Sequence, residues 1–370
     1  MQKRPCGETG LDFTAISFGG MRMHGDDTAP WARHVRAVAE AGFNYFETSN
    51  RYCSSTSEIK IGEGLKGFPR DKVYVSTKCG CKAYPTADAV RATIDESLKR
   101  LQMDYLDFYQ FWGLRWVDFN EIAVKKGGPL EGVRKAMDEG LIRHLGFTCH
   151  DTPENMINLL RTCEFESMTI IYNIIERENE PAIAEACKLG IGVVVMGPLH
   201  GGLLGFESDV LKGLLGGDDI KTTAEASFRF VLSNPAVTCA ISGMMGPKEI
   251  ADNVRIASNL KPLSPPERQE VDKVLRKFKS VSDKLCTGCG YCMPCPQGVG
   301  IPAVFKLANA SRIYGIVEGS KRDYAMFGDE WPYDEYKDAS HCTECGACLP
   351  KCPQGIDIPA ELKKAHGILQ

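Results

Sequence analysis

The 370-residue chain lacks the apolar segments of a secreted or membrane-spanning protein. Its longest apolar run, residues 191–196, is far shorter than the roughly 20 residues that cross a bilayer. Its first residues, MQKRPCGETGLDF, contain no apolar stretch of the kind found in signal peptides. We therefore expect a cytoplasmic protein that has no membrane partner.

An excess of charge of one sign is also missing. The 44 Lys and Arg residues nearly balance the 48 Asp and Glu residues, which gives a formal net charge of −4. Because a protein needs a basic surface to neutralise phosphates, the composition argues against a nucleic-acid partner.

Cysteine, in contrast, is abundant, with 16 residues in the chain. Reducing cytosol keeps thiols free, so these cysteines are not expected to form a disulfide framework. Metal ligation or redox chemistry is the better interpretation, and the spacing of the cysteines decides which of them take part.

Short β-rich segments alternate with amphipathic helical patterns between about residues 14 and 243. These segments read AISFGG, NYFETS, VYVSTK, YLDFYQFW, HLGFT, MTIIYN, GVVVMGP and TCAISG. Strands that alternate with helices predict a parallel sheet, and eight such units predict a closed (β/α)8 TIM barrel of the α/β class. The segment LKPLSPPERQEV then predicts a last barrel helix with Ser264 as its N-cap.

Two cysteine motifs follow, and each ends in Cys-Pro. The first contains Cys286, Cys289, Cys292 and Cys295, and the second contains Cys342, Cys345, Cys348 and Cys352. Three thiolates spaced by two residues can each bind one corner of a cubane, whereas the fourth, before proline, points toward a neighbouring cluster. We therefore predict two 4Fe-4S clusters, one held by Cys286, Cys289, Cys292 and Cys352 and the other by Cys342, Cys345, Cys348 and Cys295.

Two points about these motifs stay open. The last gap of the first motif is one residue shorter than in bacterial ferredoxins, so the exchange of Cys295 and Cys352 between the clusters is not settled. A zinc ribbon is the alternative, but tetrahedral zinc takes four ligands and would leave four thiols unused.

The segment between the motifs indicates how the end of the chain is organised. Residues 296–341 include the helical run IPAVFKLANASRIYGIVEG and are too long for the compact repeat of a small ferredoxin. The arrangement resembles the α-helical ferredoxins. We predict two domains: a barrel over residues 1–282 and a smaller, mainly α-helical, ferredoxin-like domain over residues 283–370.

The barrel segment resembles the aldo-keto reductases over residues 3–281. The resemblance rests on KRPCGETGLDFTAISFGG, AGFNYFETSNRYCSSTSEIKIGEGLKG, RDKVYVSTKCG, SLKRLQMDYLDFYQFW, RHLGFTCHD and PAVTCAISGMMGPKEIADNV. It implies a site at the C-terminal ends of the strands, an NAD(P)H cofactor and carbonyl reduction. It also implies that Tyr52 is the catalytic acid, that Lys78 lowers the pKa of Tyr52, and that Glu47 pairs with Lys78 in place of the family's aspartate.

Other positions depart from the family's pattern. Trp112 stands where the family has a histidine that polarises the carbonyl, and the indole retains only an N–H donor. Thr148 and Cys149 replace the Ser-Asn pair that holds the nicotinamide carboxamide, and the expected glutamine falls among residues 169–171.

The positions that hold the 2′-phosphate of NADPH in the family are changed as well. Gly243, Met244 and Glu249 replace its lysine, serine and arginine. A carboxylate at the arginine position repels phosphate. The sequence therefore disfavours NADPH and leaves two alternatives, NADH or no nicotinamide cofactor.

Four cysteines occur at the C-terminal ends of barrel strands, where the cofactor of a reductase would lie: Cys53, Cys79, Cys81 and Cys149. These strand ends converge on one mouth of a barrel. The four thiols are therefore either packing residues or the ligands of a third 4Fe-4S cluster.

Four functions are compatible with these motifs. The first is an iron-sulfur oxidoreductase in which the clusters relay electrons, to or from a redox partner protein, and Tyr52, Lys78 and Glu47 handle protons on a small carbonyl- or hydroxyl-bearing substrate. The second is an NAD(P)H-dependent aldo-keto reductase. The third is a lyase or dehydratase that uses an open-sided cluster, and the fourth is a non-catalytic electron carrier.

Overall fold

The computed structural model describes residues 1–215, 220–281, 286, 288, 290–330 and 332–370. Two compact units make up this chain: residues 1–198 with 231–262, and residues 199–230 with 263–370. The segments 199–230 and 263–281 thus belong to the same unit as the cysteine motifs, although the sequence places them in the first domain. The domain bounds 1–282 and 283–370 stay a prediction.

The first unit is built on a closed parallel barrel. Its strands are β1 (Lys3–Pro5), β2 (Asp12–Thr14), β3 (Ile16–Gly19), β4 (Tyr45–Glu47), β5 (Tyr74–Cys79), β6 (Leu106–Phe111), β7 (Ile142–Cys149), β8 (Ser167–Ile171), β9 (Gly192–Met196) and β10 (Val237–Ser242). Strands β3 to β10 follow one another around the barrel, and β10 pairs with β3 to close it. The predicted (β/α)8 barrel is confirmed.

The sequence of these strands explains their burial. β9 reads GVVVM, and β-branched residues favour the extended conformation. All residues of β3 and β6 are buried, because side chains fill the barrel interior and helices cover its outer face. The antiparallel β1–β2 hairpin precedes the barrel, and its Phe13 stacks on Tyr45 with ring centroids 4.3 Å apart. This aromatic contact extends the buried core to the hairpin.

Helices occupy the segments between and after the strands. They are α1 (Thr28–Glu40), α2 (Ser57–Leu65), α3 (Ala87–Leu101), α4 (Trp116–Asp118), α5 (Pro129–Asp138), α6 (Pro153–Leu160), α7 (Glu180–Lys188), α8 (Asp209–Leu215), α9 (Thr223–Leu232), α10 (Pro247–Ser258), α11 (Pro265–Val281), α12 (Ile301–Tyr314), α13 (Val317–Tyr324) and α14 (Ile358–Leu369). None of the helices in the described ranges is long and apolar enough to cross a membrane.

Side-chain caps fix several helix starts. Asp27 accepts a hydrogen bond from Ala29 N, and Thr86 accepts one from Ala89 N. At α11 the Ser264 hydroxyl accepts a hydrogen bond from Glu267 N, while the Glu267 carboxylate accepts one from Ser264 N. The predicted N-cap of this helix is therefore confirmed.

The last part of the chain is helical, as predicted. Helix α12 packs against α13 and α14 in the second unit. The described cysteines of the first motif precede α12 and those of the second precede α14, and each of these two helices begins with Ile-Pro. The two halves of the sequence repeat therefore have the same order, a cysteine loop followed by a helix.

Candidate barrel site and cysteine-lined cavities

The three predicted proton-handling residues lie together at the C-terminal ends of β4 and β5. Glu47 is the last residue of β4, and Lys78 is the next-to-last residue of β5. Both are buried, and Lys78 Nζ forms an ion pair with Glu47 Oε1 and donates to Thr48 O at 2.9 Å. The same Nζ lies over the Tyr52 ring, 4.4 Å from its centroid.

Burial shifts the pKa values of both Tyr52 and Lys78. It raises the pKa of the Tyr52 phenol above its usual range, and the nearby Cys53 adds to the shift. Burial also lowers the pKa of Lys78 well below its ordinary value, while contact with the Glu47 carboxylate acts in the opposite direction. The resemblance implied a lowered pKa for Tyr52, whereas burial raises it. Tyr52 is therefore a protonated phenol that can donate a proton.

Trp112 packs beside Tyr52, the candidate acid. Its ring meets the Tyr52 ring edge-to-face, with centroids 5.7 Å apart and planes at 81°. Its backbone N donates to Cys79 O at 2.8 Å, which fixes the residue at the end of β6. Within the described residues neither the indole N–H nor the Tyr52 hydroxyl makes a hydrogen bond to protein, so both remain available to a substrate oxygen.

The loop after Tyr52 is strained. Cys53, Ser54 and Ser55 have successive positive φ values of 53°, 54° and 67°. Left-handed backbone costs a non-glycine residue about 1–2 kcal/mol, and such strain clusters at functional sites. Hydrogen bonds hold the loop in place: Thr56 Oγ1 donates to Cys53 O at 2.6 Å, and Cys53 Sγ donates to Met21 O at 3.3 Å.

Cys79 and Cys149, at the same mouth of the barrel, have hydrogen-bond partners different from those of Cys53. Cys149 Sγ donates to Leu114 O at 3.0 Å, and Cys79 faces the hydroxyls of Tyr109 and Thr93 on the helix-covered side of the sheet. Strand alternation explains this orientation, because Lys78 faces the barrel interior.

Burial raises the pKa of all four mouth thiols, of Cys81 to about 11 and of Cys149 to about 12. Neutral thiols are weaker metal ligands than thiolates. The third cluster stays a prediction that iron analysis can test.

The residues at the positions that hold nicotinamide and the 2′-phosphate in the family form hydrogen bonds to other parts of this protein. Thr148 Oγ1 accepts a hydrogen bond from Gly113 N at 2.8 Å, and the Cys149 thiol donates to Leu114 O. In the first turn of α10 the Glu249 carboxylate accepts a hydrogen bond from Met245 N. A carboxylate therefore occupies the helix N-terminus where a phosphate would bind, and these residues do not fit the 2′-phosphate of NADPH.

The sequence alone does not single out Lys60, because a lysine on a helix usually faces solvent. In the structure it is buried in α2, and its Nζ donates to Met23 O at 2.8 Å and to Gly25 O at 2.6 Å. Lys60 thereby holds the loop after β3, which lies at the same end of the barrel as Tyr52.

Two cavities in the second unit are lined by cysteines of both motifs. One, of about 310 Å³, is lined by Cys295, Cys342, Cys345 and Cys348, and the other, of about 320 Å³, is lined by Cys286, Cys292 and Cys352. Cys289 lies outside the described residues. Each cavity thus combines the first three positions of one motif, as far as described, with the last cysteine of the other.

The cavities fit a pair of 4Fe-4S clusters. Gly288, Gly290 and Gly346 have φ values of 73°, 75° and 74°, a left-handed conformation that lets the cysteine loops turn tightly. Tetrahedral zinc takes four ligands and would leave four of the eight motif cysteines unused. A cubane spreads its thiolate ligands around a larger space.

Two family models match successive parts of the chain. The model of the aldo/keto reductase family matches residues 15–276, which is more than half of the chain. The chain belongs to the aldo/keto reductase family. A second family model, the 4Fe-4S dicluster domain, matches residues 285–356 of this aldo/keto reductase and supports 4Fe-4S clusters there.

Several known proteins are similar to more than half of this aldo/keto reductase. L-galactose dehydrogenase from Arabidopsis thaliana is 25% identical over 320 residues, which cover 76% of this chain and 97% of the relative. The NADH-specific methylglyoxal reductase of Escherichia coli is 26% identical and covers 55% of this chain and 69% of the relative. The holo form of an aldo-keto reductase from Bacillus halodurans matches with a TM-score of 0.63 and 26% identity, over 74% of this chain and 96% of that one. The enzyme is therefore an oxidoreductase.

Proposed function

We propose that this aldo/keto reductase is an iron-sulfur oxidoreductase that acts on a small carbonyl- or hydroxyl-bearing substrate at the barrel mouth. Two 4Fe-4S clusters exchange electrons with that chemistry and with a redox partner protein. The observation that carries the proposal is the pair of cavities, each lined by cysteines of both motifs, in a chain that keeps the buried Glu47–Lys78 pair against Tyr52.

The cysteines of the two motifs hold the clusters. Cys342, Cys345, Cys348 and Cys295 bind one, and Cys286, Cys289, Cys292 and Cys352 bind the other, a pairing supported by the lining of the two cavities. When bound, such a cluster supplies or accepts one electron at a time. Two clusters therefore match the two electrons that separate a carbonyl from an alcohol.

Tyr52 handles the proton on the substrate oxygen. Reduction of a carbonyl to an alcohol by two single electrons also takes up two protons, one on oxygen and one on carbon. Tyr52, whose raised pKa keeps the phenol protonated at neutral pH, supplies the proton on oxygen, and solvent supplies the proton on carbon. Lys78 holds the ring from one face, and Glu47 holds Lys78. In the opposite direction Tyr52 must first lose its own proton to solvent before it can accept one from a substrate hydroxyl, and burial disfavours that phenolate.

Trp112 takes over the hydrogen bond that the family's histidine makes to the substrate oxygen. Its indole ring meets the Tyr52 ring edge-to-face, and its N–H is a donor only and does not titrate. A carbonyl or hydroxyl oxygen between the two groups therefore receives two neutral donors. The roles of the four residues remain proposals that substitutions test.

The second candidate is direct reduction of a carbonyl by NADH. Membership of the aldo/keto reductase family favours it, and one relative is named as an NADH-specific methylglyoxal reductase. Glu249 at the start of α10 disfavours NADPH but leaves NADH unaffected. The lyase alternative requires a cluster at the mouth, and the separate partners of Cys53, Cys79 and Cys149 give it no support.

Anaerobic turnover assays distinguish the two candidates. The protein is purified anaerobically, its iron and sulfide are counted, and a panel of small aldehydes and ketones is offered with either reduced viologen or NADH as the electron source. We expect about eight irons and turnover with reduced viologen, and we expect Tyr52→Phe to keep the iron and lose the turnover. Turnover with NADH alone, or an active Tyr52→Phe variant, would contradict the proposal.

A further inference from the structure

We propose that Ile301 is the apolar partition between the two clusters and sets both of their reduction potentials, an inference that rests on the two-cluster function proposed above. Ile301 lines the cavity of Cys342, Cys345 and Cys348 and also the cavity of Cys286, Cys292 and Cys352. It is the one residue of the described chain that lines both. Only 1% of its surface is exposed.

The internal repeat provides a comparison at the matching position. PQGVGIPAVF and PQGIDIPAEL place Ile301 and Ile358 at the same point of the two repeats, each as the first residue of a helix and each before proline. Ile358 is 2% exposed but lines only the cavity of Cys286, Cys292 and Cys352. The two isoleucines therefore share their chemistry, burial and local structure, and they differ in whether they lie at one cavity or at both.

The backbone around Ile301 is held by the segment between the motifs. Val299 pairs with Lys337 in a parallel bridge, and Gly300 N donates to Lys337 O at 3.1 Å. A Cβ at Gly300 would lie 2.7 Å from Tyr336 Cβ, so only glycine allows this close approach. These contacts fix the start of α12, and with it the position of Ile301 between the cavities.

An apolar side chain between the two cavities affects the reduction potentials of both clusters, because it makes the surroundings of each cluster less polar. Reduction adds a negative charge to a cluster that already carries thiolate ligands, and a less polar, less solvated surrounding disfavours that charge. Truncation of Ile301 would open space between two cavities and allow water to approach both clusters. The reduced forms of both clusters would be stabilised together.

The test is a potentiometric titration of the anaerobically reconstituted full-length protein, monitored by electron paramagnetic resonance. Ile301→Ala is expected to shift both one-electron steps to higher potential, whereas Ile358→Ala shifts one step and leaves the other at its wild-type value. If the wild-type steps coincide, Ile358→Ala splits them and Ile301→Ala moves them without splitting. A shift of only one step, or of none, in Ile301→Ala would overturn the inference.

Iron analysis of each sample separates this inference from the function on which it rests. A wild-type protein without about eight irons refutes the two-cluster assignment itself. Variants that retain about eight irons, but in which Ile301→Ala behaves like Ile358→Ala, refute only the role of Ile301. Should Ile301→Ala bind less iron than the wild type, Ile301→Val removes one methyl group and is titrated instead, with a smaller upward shift of both steps expected.

Discussion

Lys78 places its ammonium over the face of the Tyr52 ring, 4.4 Å from the ring centroid, and makes no hydrogen bond to the phenol in the described structure. Lys78 Nζ instead donates a hydrogen bond to Thr48 O and forms an ion pair with Glu47 Oε1. Lys78 thus orients the ring through a cation–π contact, and burial controls the phenol. Because burial raises its pKa, the Tyr52 phenol stays protonated at neutral pH.

The raised pKa of Tyr52 has a consequence for its titration. An ordinary tyrosine loses its proton near pH 10, whereas Tyr52 keeps it above that value. The stability that this proton contributes is present below about pH 10 and is lost as the pH rises through the folded pKa. Phenolate absorbance of wild type and Tyr52→Phe should therefore rise equally up to about pH 10. A larger rise in the wild type below that pH would contradict the assignment.

The Glu47–Lys78 pair should respond unequally to loss of either partner. Lys78→Met leaves a buried carboxylate without a cation, at a cost of about 3–5 kcal/mol in unfolding free energy. Glu47→Gln should cost less, because burial already lowers the pKa of Lys78 and the amine can become neutral. The double variant should recover part of the loss. Denaturant unfolding measures all three, with the exposed Lys248→Met as a control near zero.

Lys60 should stabilise the loop after β3. Lys60→Met leaves the carbonyls of Met23 and Gly25 without this donor and should lower the unfolding free energy by about 1–3 kcal/mol. Hydrogen exchange of residues 20–27 should accelerate in the same variant. The exposed Lys66→Met serves as the control, and equal effects of the two substitutions would show that Lys60 has no positioning role.

Nicotinamide preference should depend on Glu249. The wild type should show no preference for NADPH over NADH, because a carboxylate at the start of α10 repels the 2′-phosphate. Glu249→Arg should strengthen NADPH binding about tenfold or more in calorimetric titration, since a guanidinium binds phosphate. Asp252→Arg makes the same charge change one turn further along the helix and should have little effect. Tight, NADPH-selective binding by the wild type would contradict this account.

Much of the fold can be read from the sequence, because its signals are local. β-branched runs between helical patterns predict the barrel, and Ser264 predicts the start of α11. The pKa of Tyr52 cannot be read from local sequence, because it is raised by burial in the folded barrel, whereas the family resemblance implied a lowered value. Ile301 and Ile358 are equivalent in sequence, and only packing distinguishes them.

The iron content of the anaerobically purified protein tests the central claim most directly. Two cubanes predict about eight irons, and replacement of Cys292 or Cys342 by alanine should remove about four of them. The exposed Cys163→Ala should leave the count unchanged. About twelve irons, falling to about eight in Cys149→Ala, would instead establish a third cluster at the barrel mouth. If replacement of the motif cysteines by alanine left the iron content at its wild-type value, the two-cluster account would be contradicted.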